Sequence, residues 1–336
     1  MASVFNDYAF AVQYEQRHVN GGSLYHTFAK DSLQLLIPQT GLRVMDLGCG
    51  TGISTTTLFD VLNPSQVVGA DKSQAFLDIA RLKFGFEPVY ADQVLDALVE
   101  FNPSDDFLKG KIAAGNLLTH LKKSRAVYSL VNDRVAFHVA DASAVSAVSD
   151  ALFDVVFANQ VFHWFRRFNV SPGDINKEYE QAVLQAVRSS LHSQGTFVFN
   201  TTGADFTFAD DQKNKMHMIH HPFYKVFMQQ VYGALGTPVP KQHQVLNHHE
   251  IMKVMDENGF CVKTVQEKVY RKSAESLLET CVIGAHMQIF QKSGIDVHID
   301  DRKKMLSEAI RRAMDSDTLN ATPVFETGVH YIVEKA

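Results

Sequence analysis

The residues of this chain best suited to chemistry stand at the ends of short apolar runs. The first such run breaks into a glycine loop, Asp46-Leu47-Gly48-Cys49-Gly50-Thr51-Gly52, ahead of a helix candidate that starts at Ile53. Glycines there let backbone N–H groups approach a ligand, and the helix start adds a positive partial charge. A dinucleotide fingerprint would need glycine where Ile53 stands, and the lysine of a nucleoside-triphosphate loop is missing. A loop of this kind is shared by many nucleotide binders, and these details leave little support for a dinucleotide or a nucleoside triphosphate. A second run ends in Asp71, with Lys72 beside it, about 20 residues beyond the glycines, where an acid accepts hydrogen bonds from both hydroxyls of a ribose. A third ends in Asp141, next to Ala142, in reach of an adenine amino group. Each acid alone also fits an ordinary turn, but a glycine loop and two acids in this order form a pattern.

A fourth run, Phe153 to Phe157, leads into Asn159, Gln160, His163 and Trp164, the chain's one tryptophan. Two readings are open for Trp164: filler of a core, or wall of a site at the strand's carboxyl end. His163 reads as a general base, as a donor that orients a substrate, or as a structural histidine capping a loop. Gln160 orients an acid through its amide or is a plain loop residue. Near the amino terminus, Tyr14 and Tyr25 are candidates either for cation–π contact with a bound cation or for helix packing. His217, His220 and His221 show no metal-ligand spacing, so no metal is expected; surface or lid histidines are the simpler reading.

These residues need elements to hold them. Five apolar runs alternate with helix candidates, which implies a parallel sheet covered on both faces. Ser73 is placed to cap the helix that follows Asp71. The stretch between the second and third runs is too long for one crossover and has helical spacing, so residues 92–133 are expected to form an inserted helical piece. Residues 1–40 are expected to be a helical cap segment and 41–202 the core. Residues 203–259, rich in Phe, Met and His, should form a lid, and 260–336 should complete the sheet. The surroundings Met216, Met218, Phe223, Tyr224, Phe227 and Met228 would suit an adaptable apolar lining.

Composition excludes some classes. The net charge is −5 and the basic group Lys122-Lys123-Ser124-Arg125 is short, which argues against a nucleic-acid partner. Three widely spaced cysteines give no disulfide framework and suit a reducing cytoplasm. The amino terminus lacks a signal-peptide pattern, and no run is long enough to span a membrane. The oligomeric state is left open.

The stretches "VMDLGCGTG", "VVGADKS", "HVADAS", "FDVVFANQVFHWF" and "GTFVFNTT", over about Leu42 to Thr202, resemble the class I S-adenosyl-L-methionine-dependent methyltransferases. The resemblance implies a Rossmann-like, seven-stranded, mostly parallel sheet with the last strand antiparallel, plus a helical cap. It implies that Asp46, Gly48 and Gly50 surround the methionine part of the cofactor and that Asp71 holds the ribose. Asp141 with Ala142 would meet the adenine, and Asn159 would lie near the transferred methyl. The "HW" pair resembles small-molecule carboxyl O-methyltransferases of the juvenile hormone acid, trans-aconitate and fatty acid groups. The expected reaction is methylation of a small hydrophobic molecule, on a carboxylate oxygen, with Tyr25, Gln160, His163 and Trp164 at the acceptor. Two alternatives stand beside it: a C- or hydroxyl O-methyltransferase of a polyketide or isoprenoid metabolite, and an inert cofactor-binding protein acting through partners. An amino-methylating nucleic-acid enzyme is disfavoured, because Asn159-Gln160-Val161-Phe162 lacks the N-P-P-aromatic motif.

Overall fold

Alternate residues of the central strands go to opposite faces of one sheet, and both faces are buried. In the computed structural model, Met45, Val156, Phe197, Phe199 and Tyr331 pack on one face. Val44, Val155, Phe157, Val198 and Ile332 pack on the other. Two covered faces explain why the strands read as continuous apolar runs rather than as alternating ones. The structure describes residues 7–19, 24–100, 116–167, 176–202, 222–236, 248–272, 277, 299–314 and 324–336.

The strands are β1 Arg43–Leu47, β2 Gln66–Asp71, β3 Val135–Val139, β4 Phe153–Asn159, β5 Leu191–Thr202, β6 Phe260–Lys272 and β7 Val324–Lys335. Their order across the sheet is β3-β2-β1-β4-β5-β7-β6. The first four pairings are parallel, while β7 runs antiparallel between β5 and β6. This is the seven-stranded, mostly parallel arrangement that the family resemblance implies. The chain leaves β1 towards β2 and β3, then crosses back to β4 on the other side of β1. Such a switch opens a crevice beyond the carboxyl ends of the two central strands, where open α/β sheets take their ligands.

The helices, in chain order, are α1 Tyr8–Val19, α2 Tyr25–Leu33, α3 Ile53–Val61, α4 Gln74–Lys83, α5 Ala91–Glu100, α6 Asn116–Tyr128, α7 Phe162–Arg167, α8 Lys177–Ser190, α9 Pro222–Ala234, α10 His248–Glu257 and α11 Ile299–Met314. Ser73 caps α4 as expected, its Oγ accepting from the Phe76 N–H at 3.1 Å. Asn176 caps α8 through Tyr179 N–H at 3.0 Å. The stretch read as a helical insertion contains α5 and α6, which pack with α1 against α4 around Phe10, Ile79, Val94 and Leu121. Residues 101–115 lie outside the described residues, as do His217, His220, His221, Met216 and Met218 of the expected lid. Phe223, Phe227 and Met228 of the same stretch are buried on α9. One boundary differs from the sequence pattern: β5 starts at Leu191, directly after α8, rather than near Gly195. The register between β4 and β5 shifts between Phe153 and Val155, which absorbs the extra residues.

Candidate functional site

The glycine loop leaves β1 and enters α3 through three left-handed residues, Gly48, Gly50 and Gly52, with φ of 69°, 54° and 83°. A side chain at Gly48 is opposed on two grounds. A Cβ there would sit 2.7 Å from both methyls of Val161, and its φ already disfavours any side chain. Val161 immediately precedes α7, so the glycine loop and the end of β4 close on each other.

Asp46 lies under this loop, fully buried. Its Oδ2 accepts from Ser54 Oγ at 2.8 Å and Thr55 Oγ1 at 2.6 Å, both in the first turn of α3. Its Oδ1 is buried without a hydrogen-bond partner among the described residues. Burial, reinforced by the nearby Asp71 and opposed by the two hydroxyls, lifts the carboxyl to about 7. An orphaned acceptor of this kind fits a cationic or N–H-bearing ligand group.

Asp71 ends β2 and reaches back to the loop. Its Oδ2 accepts from Gly50 N–H at 2.9 Å and its Oδ1 from Ser73 N–H at 2.8 Å. A carboxylate offers about four lone-pair sites, so Asp71 keeps acceptor capacity for a ligand hydroxyl. Burial raises its pKa, against the backbone N–H groups of Ser73, Gly50 and Lys72. Asp141 differs. It takes four donors: Ser143 N–H at 3.0 Å, Ser143 Oγ at 2.7 Å, Tyr179 OH at 2.8 Å and Lys72 Nζ at 3.0 Å. Burial pushes its carboxyl up, but these donors outweigh it and hold it at about 2. The Asp141 side chain thus spends its acceptor capacity on its own chain. The Lys72–Asp141 pair joins the ends of β2 and β3, and Ala142 opens the 3-10 turn that Asp141 caps.

At the end of β4, Asn159 Nδ2 donates to the Tyr25 carbonyl at 3.1 Å. Gln160 is buried at φ 58°, a left-handed conformation that costs a non-glycine residue energy. It is held there by Asn200 on β5, whose Oδ1 accepts from both Gln160 N–H at 3.0 Å and Gln160 Nε2 at 2.8 Å. His163 and Trp164 follow on α7, both half-buried, with ring centroids 5.2 Å apart. The core filling expected of an aromatic there falls to Phe162, stacked on Phe199 at 4.6 Å, and to Phe165.

The amino-terminal segment closes one side. The Tyr14 ring lies 4.9 Å from Phe76 and 6.1 Å from Tyr25. A Cβ on Gly50 would lie 3.6 Å from the Phe76 ring, so this aromatic group sits against the glycine loop. The structure therefore gathers Asp46, Gly48, Gly50, Asp71, Asn159, Gln160, Tyr14 and Tyr25 around one crevice, with Lys72 and Asp141 at its β2–β3 side. Ser54, Thr55, Phe76, Tyr179 and Asn200 belong to the same surroundings and were not anticipated. Ser54 and Thr55 had a readable signal, being hydroxyls in the first turn after a glycine loop. Among the described residues, no group of His, Cys, Asp and Glu could hold a metal ion.

A family model described as "Methyltransferase domain" matches residues 22–265, most of the chain, from just before α2 into β6. The chain belongs to this methyltransferase family. It is an S-adenosyl-L-methionine-dependent methyltransferase, and the orphaned Asp46 oxygen, the left-handed glycine loop and the spare capacity of Asp71 fit that cofactor. No curated protein matches the methyltransferase by sequence. Solved structures similar to it include the YcgJ protein of Bacillus subtilis, at 11% identity and TM-score 0.45, over 93% of this chain and 99% of that one. Another is an S-adenosyl-L-methionine-dependent methyltransferase of Thiobacillus denitrificans, in complex with S-adenosyl-L-homocysteine. That match has 14% identity and TM-score 0.41, over 93% of this chain and 91% of that one.

Proposed function

We propose that this methyltransferase transfers the methyl group to a carboxylate oxygen of a small apolar molecule, such as a fatty or isoprenoid-like acid. The observation that carries the reading is Gln160, buried and strained beyond β4, with an amide fixed by Asn200 and followed by His163 and Trp164. A carboxylate is ionised at neutral pH and needs donors that orient it, not a base. The bound cofactor supplies an electrophilic methyl on a sulfonium. The chain's own residues have to align the nucleophile with it and exclude water, which is where most of the rate enhancement of such a displacement arises.

In this reading Asp46, Gly48 and Gly50 hold the methionine part, Asp71 the ribose, and Ala142 with Asp141 flank the adenine. Asn159 stands near the methyl, and Tyr14 screens the sulfonium with its ring face. Gln160 and His163 orient the acceptor carboxylate, while Trp164 and Tyr25 line its apolar part. The segments 1–40, 92–133 and 203–259 form the cap over this crevice. Free cysteines at Cys49 and Cys261 agree with a reducing, cytoplasmic setting. Among the described residues no helix is long and apolar enough to cross a membrane.

The position of His163, one turn beyond Gln160, favours a second reading in which it is the base for a hydroxyl or carbon nucleophile. A screen of fatty, aromatic and isoprenoid acids with methyl-labelled cofactor, beside their alcohol analogues, separates the two. Acids should take the label, and His163→Ala should raise KM for the acid with kcat largely kept. If only alcohols are labelled and His163→Ala abolishes turnover, the base reading replaces the carboxylate one.

A further inference from the structure

Across the half of the sheet that follows β4 runs a buried row of polar side chains. Asn159, Asn200 and His330 are direct cross-strand neighbours on β4, β5 and β7. Asn200 and His330 are fully buried. A helix lies over the row: α2 supplies Ser32, whose Oγ is 2.8 Å from Asn200 Nδ2 and 2.7 Å from His330 Nδ1. On the far side, His330 Nε2 is 2.9 Å from Tyr270 OH on β6, and Tyr270 donates to Asp31 Oδ2 at 2.6 Å.

The direction of every bond in this row follows from its outer end. Lys268 Nζ donates to both oxygens of Asp31, at 2.8 and 2.9 Å. Burial works against the Asp31 charge, but Lys268 and Tyr270 outweigh it and hold the carboxyl below its usual range. Asp31 is therefore an acceptor, and the single Tyr270 proton belongs to it. The Tyr270 oxygen then has to receive a proton from His330, which burial keeps neutral with a pKa of about 4. A neutral imidazole has one N–H, so Nε2 carries it and Nδ1 accepts from Ser32. Ser32 Oγ also lies 2.9 Å from the Phe28 carbonyl, but at 2.7 Å the bare Nδ1 takes its single proton, and Ser32 accepts from Asn200 Nδ2. The opposite tautomer would set two bare acceptors, Nε2 and the Tyr270 oxygen, face to face at 2.9 Å. The second Asn200 Nδ2 proton goes to Asn159 Oδ1 at 2.9 Å, nearer than the Phe28 carbonyl at 3.3 Å, and Asn200 Oδ1 takes both donors of Gln160, whose backbone N–H enforces the same amide orientation.

We propose that Asn200 is a positioning residue for methyl transfer, locked in one amide orientation by a one-directional hydrogen-bond chain from Asp31 through Tyr270, His330 and Ser32. The locked amide holds Gln160 in its left-handed conformation and fixes which end of the Asn159 amide faces the Tyr25 carbonyl. The chain transmits orientation rather than protons, because an amide side chain has no titration near neutral pH with which to pass one on. This inference rests on the end of β4 being the place where methyl and acceptor meet.

The test uses the full chain with 15N-labelled histidine, first without ligand and then with [methyl-13C]-S-adenosyl-L-methionine. Without ligand, His330 should show a single Nε2–H tautomer, and Asp31→Asn or Tyr270→Phe should turn it into a mixture. With ligand, Asn200→Ala and Tyr270→Phe should shift the resonance of the bound methyl while cofactor affinity stays near that of the unsubstituted protein. Tyr331→Phe is the control: it removes a hydroxyl from the neighbouring β7 residue, which turns to the other face and meets His248 instead. It should shift nothing. An Nδ1–H tautomer in the unsubstituted protein, or a methyl resonance unmoved by Asn200→Ala, would overturn the proposal. Failure of the unsubstituted protein to bind cofactor would instead overturn the reading of the site. The His330 tautomer and its response to Asp31→Asn would then decide the chain by themselves.

Discussion

Asp46 is held in a state that water would not give it. Its carboxyl has two hydroxyl donors on one oxygen and none on the other, in a fully buried position. Burial raises it from 3.8 to about 7, so near neutrality a large share of the free protein carries a neutral Asp46. A cationic ammonium on the orphaned oxygen would favour the ionised form and expel the proton. Cofactor affinity should therefore be level above pH 7 and weaken by up to about tenfold per pH unit below it. Calorimetry at pH 6 in two buffers of different ionisation enthalpy should register release of close to one proton per cofactor bound. Asp46→Asn should bind more weakly and show neither the slope nor the proton. The same shift costs stability. The folded pKa lies above the unfolded one, so the folded state binds more protons and stability falls as pH rises from 3.8 to about 7. An unchanged pH slope in Asp46→Asn would show that another group governs binding.

The short helix α7 could not stand alone, since six residues form too few hydrogen bonds to offset nucleation. Phe162 and Phe165 root it in the core, and Arg166 ties it down by ion pairs to Glu180 of α8 at 2.8 Å and Glu250 of α10 at 3.0 Å. Arg166 and Glu180 are both buried, so removing one partner leaves the other charge without compensation. Arg166→Met should destabilise by about 3–5 kcal/mol, read from denaturant unfolding. Adding Glu180→Leu should restore most of the loss. Burial lifts the Glu180 carboxyl to about 7 even against the pull of Arg166. Without Arg166 the Glu180 carboxyl rises further, so at pH 5 it is neutral at no cost, whereas at pH 8 it has to stay charged and unpaired or take up a proton. The penalty of the single variant should accordingly be greater at pH 8. Because α7 carries His163 and Trp164, kcat/KM should fall further than the unfolded fraction explains. Equal penalties at the two pH values would mean that Arg166 acts through packing alone.

Across the molecule, legibility in the sequence follows how local each signal is. The glycine loop was readable because left-handed residues select glycine, and the ends of β2, β3 and β4 were readable because an apolar run stopping at an acid or amide is a local pattern. The cap of α4 at Ser73 and the helices of the insertion were local as well. Asn200 and His330 were not readable: a single polar residue in a strand looks like a solvent-facing position until register sets it opposite another. Glu15 and Lys83 were hidden for the same reason, as charges on helices whose partners lie far along the chain. In the structure Glu15 of α1 is fully buried, with its Oε1 2.5 Å from Lys83 Nζ of α4 and 3.3 Å from His120 Nε2 of α6. Glu15 thus joins α1, α4 and α6. Burial pushes the Glu15 carboxyl up, but Lys83, His120 and His18 outweigh it and bring it to about 2. With the folded pKa below the unfolded 4.5, its stabilisation is complete above pH 4.5 and is lost as pH falls through about 2. Lys83→Met should strand Glu15, cost about 3–5 kcal/mol and loosen α1, so that cofactor affinity drops with the displacement of Tyr14. Glu15→Leu with Lys83→Met should regain the stability at neutral pH and lose less than the unsubstituted protein between pH 4.5 and 2. Circular dichroism melts at pH 3 and pH 7, with cofactor titrations at pH 7, would measure both effects. Equal destabilisation of the single and double variants would show that the helices are held by the Phe10–Phe76 stack, with ring centroids 5.9 Å apart, and its neighbours, and that the buried pair contributes nothing to holding α1 in place.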